Sequence, residues 1–222
     1  MIPNDFGAGL VVLGAGRGSA ELIDLLDAVA KPAALVVLDD RFPDGGGQLL
    51  GLPIVGGLAK VGDYVARGYR VLSGIAGSTA VDDDGRRCLG TRIDLPQRLA
   101  LPRSAWASFA HPRASLSARA RIGAGVIAYP GAQVHVDAVV ADQVLLYPGC
   151  VVHHDVVVDE GAILCAGVLL AGHVHVGAGC YLGMGTAVRE RTSIGARALI
   201  GMGAVVVNDV AAGAAVRGVP AR

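Results

Sequence analysis

The residues best suited to chemistry lie at His153-His154-Asp155, inside the otherwise aliphatic run from Cys150 to Val158. A neutral imidazole can take a proton from an incoming amine or hydroxyl. A carboxylate beside it can hold its tautomer and raise its basicity. Spacing alone leaves two readings open, a catalytic pair and a solvated corner. A second cluster is Gly14-Ala15-Gly16-Arg17-Gly18, which follows the apolar run Gly9-Leu10-Val11-Val12-Leu13. A glycine turn between a strand and a helix can present backbone N–H groups to phosphate. Ser19 stands where a dinucleotide fingerprint has its last glycine. The turn therefore reads as a plain βα turn, a mononucleotide or nucleotide-sugar site, or an NAD site. Arg17 can pair with a phosphate. Asp39 and Asp40 close a second apolar run, where an acid can accept hydrogen bonds from a ribose or base. The alternative for all three is a solvated loop.

The elements that must position these residues differ between the two parts of the chain. Residues 19–30 form an amphipathic pattern with Leu22, Leu25, Leu26 and Val29 on one face. Residues 34–38 read as a second buried strand, so the segment is a βαβ unit and a parallel sheet is expected. Residues 52–56 read as extended, 61–67 as helical, 70–75 as a third strand and 86–99 as a helix. The boundary falls near Pro102-Arg103-Ser104, giving domains 1–103 and 104–222.

From Ile122 onward an aliphatic residue recurs at every sixth position: Ala128, Val134, Val140, Leu146, Val152, Val158, Leu164, Leu170, Val176, Leu182, Val188, Ile194, Ile200, Val206 and Ala212. A small or β-branched residue precedes each by two, among them Ala120, Val126, Ala132, Ala138, Val144, Cys150, Val156 and Ala162. Neither a helical nor a strand period explains this spacing. A coil of short strands does, each repeat supplying one flat side and a turn. At three sides per turn the run makes roughly five turns. Smooth faces of this kind favour self-association about a threefold axis, with clefts between the copies.

Composition excludes several classes. The chain carries 19 basic and 19 acidic residues, so no electrostatic nucleic-acid binder is expected. Aromatics are 4%, too few for a base-stacking platform. Although 53% of residues are hydrophobic, they are Ala and Val interleaved with Gly, and no membrane insertion is expected. Pro3-Asn4-Asp5 near the start does not form a basic leader, so a soluble, cytoplasmic protein is expected. Cys88, Cys150, Cys165 and Cys180 form no CxxC pair, and Cys150 and Cys180 fall on the small inward register, which reads as buried structural thiols.

These residues together resemble the bacterial hexapeptide-repeat sugar acyltransferases, the nucleotide-amino-sugar N-acetyltransferases and sialic-acid O-acetyltransferases. Val12-Leu13-Gly14-Ala15-Gly16 is similar to the family's glycine turn, and Val37-Leu38-Asp39-Asp40 to its acidic strand end. Leu50 to Gly56, Phe109 to Ala114, the corner Val151 to Val158 and the terminal Arg217-Gly218-Val219-Pro220-Ala221 also match. The resemblance implies an α/β Rossmann-like N-terminal domain that binds a nucleotide-linked sugar through Gly14, Gly16, Arg17, Asp39 and Asp40. It implies an all-β left-handed parallel β-helix that forms a homotrimer and binds acetyl-CoA. It implies His154 as general base with Asp155 as its partner, and direct acetyl transfer to a sugar amine. Gly172 aligns with a glycine whose N–H would stabilise the oxyanion. Ile163, Gly167, Met184 and Met202 align with the cofactor-binding stretch. The family commonly has histidine where Arg17 and Ile163 stand, and often an acid where His153 stands. No metal is expected, because His135, His173 and His175 lack the three-histidine spacing of γ-class carbonic anhydrases and read as solvated corners or cofactor rim. The alternatives are sugar O-acetylation, as of sialic acid, and a non-catalytic trimeric scaffold or sugar sensor.

Overall fold

A computed structural model of the chain describes residues 4–76 and 91–222. Contacts group residues 4–76 with Asp94–Ser108 in one compact unit, and residues 91–93 with Phe109–Arg222 in a second.

The first unit is a sheet built around β1 (Gly9–Leu13), in which every residue is buried. β1 runs parallel to β2 (Leu35–Leu38) and to β5 (Tyr69–Ser73). β2 runs parallel to β4 (Leu52–Gly56), and β3 (Gln48–Leu49) pairs antiparallel with β4. The strand order is β3-β4-β2-β1-β5. A strand bonded on both sides and covered on both faces must be continuously apolar, as Leu10-Val11-Val12-Leu13 is. Helix α1 (Arg17–Val29) buries Ser19, Leu22, Ile23 and Leu26. That face is rotated from the expected one. Ile23 is fully buried, whereas Val29 is exposed where the helix ends and Lys31 turns the chain at a φ of 37°. Helix α2 spans Val61–Ala66. Helix α3 spans Thr91–Arg98, within the expected 86–99; residues 86–90 lie outside the described part, as does Cys88.

The second unit is a parallel β-helix. Two-residue strands stack into three parallel sheets of six, five and seven strands. One face carries Gln133–Val134, Val151–Val152 and Leu169–Leu170 in direct register. The next carries Val139–Val140, Val157–Val158 and His175–Val176, and the third Leu145–Leu146, Ile163–Leu164 and Tyr181–Leu182. The second residue of each strand points inward, as the six-residue spacing predicts. Together with the small residue two positions earlier it forms one continuous apolar core from Val126 to Val210. Each buried Val, Leu or Ile contributes roughly 1.5–3 kcal/mol relative to exposure.

The turns obey a second ruler. Fourteen successive positions six apart, from Gly125 to Gly203, all have positive φ. Eight are glycine, which takes this conformation freely. The other six are Asp137, Gln143, Asp155, His173, Arg191 and Arg197. The corners stack into three columns. One is glycine throughout, Gly131, Gly149, Gly167, Gly185 and Gly203. Another contains no glycine: Asp137, Asp155, His173 and Arg191. In the remaining column the Gln143 and Gly125 carbonyls accept hydrogen bonds from the buried Arg92 guanidinium of α3, at 2.6 and 3.0 Å. Burial lowers the Arg92 pKa to about 10, so it remains charged at neutral pH and ties the start of α3 to the coil.

The aliphatic ruler fails at its last step. Ile194 bridges Val210 rather than pairing with Ala212. Val210 is buried and Ala212 exposed. Two residues are missing from that turn, and the Asp209 carboxylate accepts from the Ser193 N–H at 2.8 Å, a role taken elsewhere in the coil by the carbonyl of the residue just before a strand. The inward register resumes six residues later at Val216, which pairs with Ile200. Cys150 and Cys180 are buried as expected, and burial pushes their thiols up to about 12 and about 11, which keeps them protonated and unreactive.

Two threonines occupy the small inward register. Thr186 Oγ1 donates to the Gly183 carbonyl at 2.8 Å. Thr192 Oγ1 is buried and has no partner among the described residues. Replacing Thr192 by valine should therefore raise unfolding free energy by about 1 kcal/mol, because an unsatisfied buried hydroxyl is removed. The same change at Thr186 should not stabilise. Denaturant titration of both variants checks this.

Candidate active site

The fold carries His154 and Asp155 on the glycine-free corner column, in the turn between Val151–Val152 and Val157–Val158. Asp155 takes a φ of 57°. Its N–H donates to the Val136 carbonyl of the preceding coil at 3.3 Å, so its backbone is pinned. The carboxylate then curls back: His154 Nδ1 lies 2.8 Å from Asp155 Oδ2. With Nδ1 donating to the carboxylate, Nε2 is left as the basic nitrogen, half-exposed at the surface. The hydrogen bond from His154 holds the Asp155 carboxyl below the usual carboxylate range, with the nearby charge of His173 adding to the effect.

Gly172 forms the seat of this imidazole. A Cβ at Gly172 would stand 2.6 Å from His154 Cε1 and 2.7 Å from its Nε2, inside contact distance. The Gly172 N–H has no acceptor among the described residues. His173 follows, stacked directly on Asp155 one coil later; its ring lies edge-on to His154 with centroids 5.3 Å apart. An open pocket of about 360 Å³ is lined by His153, His154, Ala171, Gly172, His173, Glu190 and Arg191. His153 lies between His154 and His135, edge-on to the first and tilted against the second, and its pKa is lowered by partial burial and by these two neighbours. His175 belongs to a separate pair, 2.8 Å from Asp159. Ligand atoms of His154, Asp155 and His173 all lie within 4.8 Å of one another, a set able to reach a common cation.

The residues expected to bind the cofactor do not converge on this pocket, apart from Gly172. Gly167, Met184 and Met202 lie at the glycine-column corner, on the other edge of the face that carries Val151 and Leu169. Met184 and Met202 are exposed, at 58% and 75%. Ile163 points outward from the third sheet and is buried.

All five residues expected to bind a nucleotide sugar line one pocket of the first unit. It measures about 430 Å³ and includes Gly14, Gly16, Arg17, Asp39 and Asp40, together with Arg41 and Arg98, which sequence reasoning did not single out. Gly14 takes a φ of +88°, and a Cβ there would meet Ile75 Cγ1 at 2.7 Å, so the tight turn requires glycine. Gly16 caps α1 without a side-chain hydrogen bond and the first helical turn holds no acid, leaving its N–H groups to the pocket. Asp39 supports the turn from below. Its Oδ2 accepts from the Ala15 N–H at 2.6 Å and from Arg41 Nη2 at 2.9 Å, and its Oδ1 accepts from the Arg41 N–H and Nε. Both oxygens are thus engaged, and the Arg41 guanidinium holds the Asp39 pKa down at about 2. Asp40 accepts from the Leu58 N–H at 2.8 Å and faces Arg98 at 3.7 Å.

Two outcomes follow from this geometry. Gly172 has an ordinary backbone conformation, so Gly172→Ala should fold normally while pushing the His154 ring aside; kcat should fall about a hundredfold, as a displacement of about 1 Å can cost. Circular dichroism and turnover measured on the same sample test it. Because the Asp39 pKa is depressed on folding, its contribution to stability is full above about pH 4 and is lost as pH falls towards 2. Asp39→Asn should flatten that part of the acid unfolding curve while lowering stability at neutral pH.

No protein-family model and no curated sequence matches the chain. Solved structures do. The acetyltransferase domain of PglB from Neisseria gonorrhoeae FA1090, solved with acetyl coenzyme A, matches with a TM-score of 0.83 at 25% identity, over 97% of this chain and 98% of its own. Perosamine N-acetyltransferase from Caulobacter crescentus, solved with CoA and GDP-perosamine, matches with a TM-score of 0.80 at 27% identity, over 96% of this chain and 95% of its own. WeeI from Acinetobacter baumannii AYE shares the fold, with a TM-score of 0.53 at 21% identity. Along nearly its whole length the chain is therefore similar to hexapeptide-repeat sugar acetyltransferases, as the sequence motifs imply.

Proposed function

We propose that this protein transfers an acetyl group from acetyl-CoA to the amino group of a nucleotide-linked amino sugar, with His154 as general base. The observation that carries the reading is the His154–Asp155 pair at 2.8 Å, opening on a pocket in a chain that matches an N-acetyltransferase bound to CoA and GDP-perosamine over 96% of its length. The sugar nitrogen attacks the thioester carbonyl carbon. His154 Nε2 takes the nitrogen's proton, and Asp155 stabilises the imidazolium that forms. The Gly172 N–H donates to the developing oxyanion. The C–S bond breaks, His154 returns the proton to the departing sulfur, and free CoA and the N-acetyl sugar leave. No acyl-enzyme forms.

The nucleotide would be held by residues 1–103, read as a Rossmann-like domain, with its phosphates at the Gly14–Gly16 turn beside Arg17. The β-helix of residues 104–222 is read as left-handed. A homotrimer would reconcile the two separated corners: Gly167, Met184 and Met202 of one copy would border the His154 corner of the next and hold acetyl-CoA between them. Among the described residues no helix is long and apolar enough to cross a membrane. We place the reaction in the cytoplasm, where acetyl-CoA and nucleotide sugars are met.

The decisive experiment is thiol release from acetyl-CoA against UDP-, GDP-, dTDP- and CMP-linked sugars. Turnover is expected with an amino sugar, and His154→Ala should lower it about a thousandfold while leaving the assembly intact by light scattering. Activity confined to hydroxyl acceptors would replace the reading with O-acetylation. Sugar binding without any turnover of the unaltered protein would make it a sensor.

A further inference from the structure

We infer that His173 is a positioning residue for the His154–Asp155 pair, holding the Asp155 carboxylate from the next coil so that Oδ2 stays on His154 Nδ1. The kinetic part of the inference rests on the acetyl transfer proposed above; the geometric part does not.

His173 grips the pair at two points. Its backbone N–H donates to the His154 carbonyl at 3.2 Å. Its ring Nε2 lies 4.0 Å from the same Asp155 Oδ2 that engages His154. The residue before it, Gly172, is the seat of the His154 ring. One dipeptide therefore fixes the base from below and its carboxylate from the side. At 4.0 Å the contact with Asp155 is electrostatic rather than a hydrogen bond, and it strengthens whenever His173 carries a proton. The ring also limits where the carboxylate can swing when His154 becomes charged during the reaction.

The backbone argues that the side chain is retained for a purpose. His173 occupies a corner with a φ of 60°. Glycine serves at eight of the fourteen equivalent corners, and a side chain there costs about 1 kcal/mol. A corner filler would be better made of glycine. Residues held in such conformations cluster where function requires them, and the one column without glycine is the column that carries Asp155.

The groups facing His173 determine how its charge is felt. From the preceding coil these are His153, His154 and Asp155, and from the following coil Glu190 and Arg191. On its own coil His175 is engaged by Asp159.

Two variants suited to positive φ test the inference, His173→Asn and His173→Gly. Both should fold, and the glycine variant should melt at the same or a higher temperature. In each, kcat should fall about tenfold, the lower end for a group that supports a reacting one, with KM for acetyl-CoA unchanged. Independently of turnover, 15N NMR of the ring nitrogens should find His154 as the Nδ1–H tautomer in the unaltered protein and as a mixture in both variants. Unchanged kcat and tautomer in the two variants would overturn the inference. Absence of turnover in the unaltered protein with every acceptor would instead sink the acetyl-transfer reading, and the tautomer measurement alone would then decide for or against His173.

Discussion

The β-helix depends on one backbone feature: from Gly125 to Gly203, every sixth residue turns the chain through the left-handed region of φ. Where that turn is made, two-residue strands fall into register with the coil below, as Val134, Val152 and Leu170 do. The aliphatic residue of each repeat then has no choice but to face inward. The corner residue projects outward at a fixed height set by the coil spacing. Glycine meets the constraint without cost, so a corner that carries a side chain is conspicuous. The column Asp137, Asp155, His173, Arg191 is such a case, and it is where the titratable groups gather.

That constraint also supplies preorganisation. His154 does not stand on a mobile loop; its peptide is locked between coils by the bonds from Asp155 N–H to Val136 and from His173 N–H to His154. The ring rests where Gly172 has no Cβ, and Asp155 fixes which nitrogen is free. An imidazole held this way would need little reorganisation in the proposed role of proton acceptor. The first unit uses the same economy differently. Asp39 spends both carboxylate oxygens on Ala15 and Arg41, so the acid shapes the glycine turn and leaves Arg41 and Arg17 at the pocket wall.

Much of this was legible in the chain, and the exceptions have physical reasons. The inward ruler holds at every step from Ile122 to Val206 because the larger inward position of each repeat is filled by an aliphatic side chain packed in the core. It fails at Ala212 because a turn can lose two residues when a side chain such as Asp209 replaces the missing acceptor, and periodicity carries no mark of that substitution. Helix α1 buries Ile23 rather than Val29 because helix rotation is set by the sheet it covers. His173 read as a solvated corner because it lies 18 residues from Asp155; only the coil length makes them neighbours.

The sequence by itself determined the repeat, the inward residues, the glycine turn and the His154–Asp155 neighbours, since each depends on local spacing and residue type. The tertiary structure decided which corners stack, that Gly172 lies beneath His154, that His173 shares Asp155, and that Gly167, Met184 and Met202 stand at a different corner. Those relations arise from one coil closing on the next, a through-space contact between residues far apart along the chain, and no local pattern encodes it.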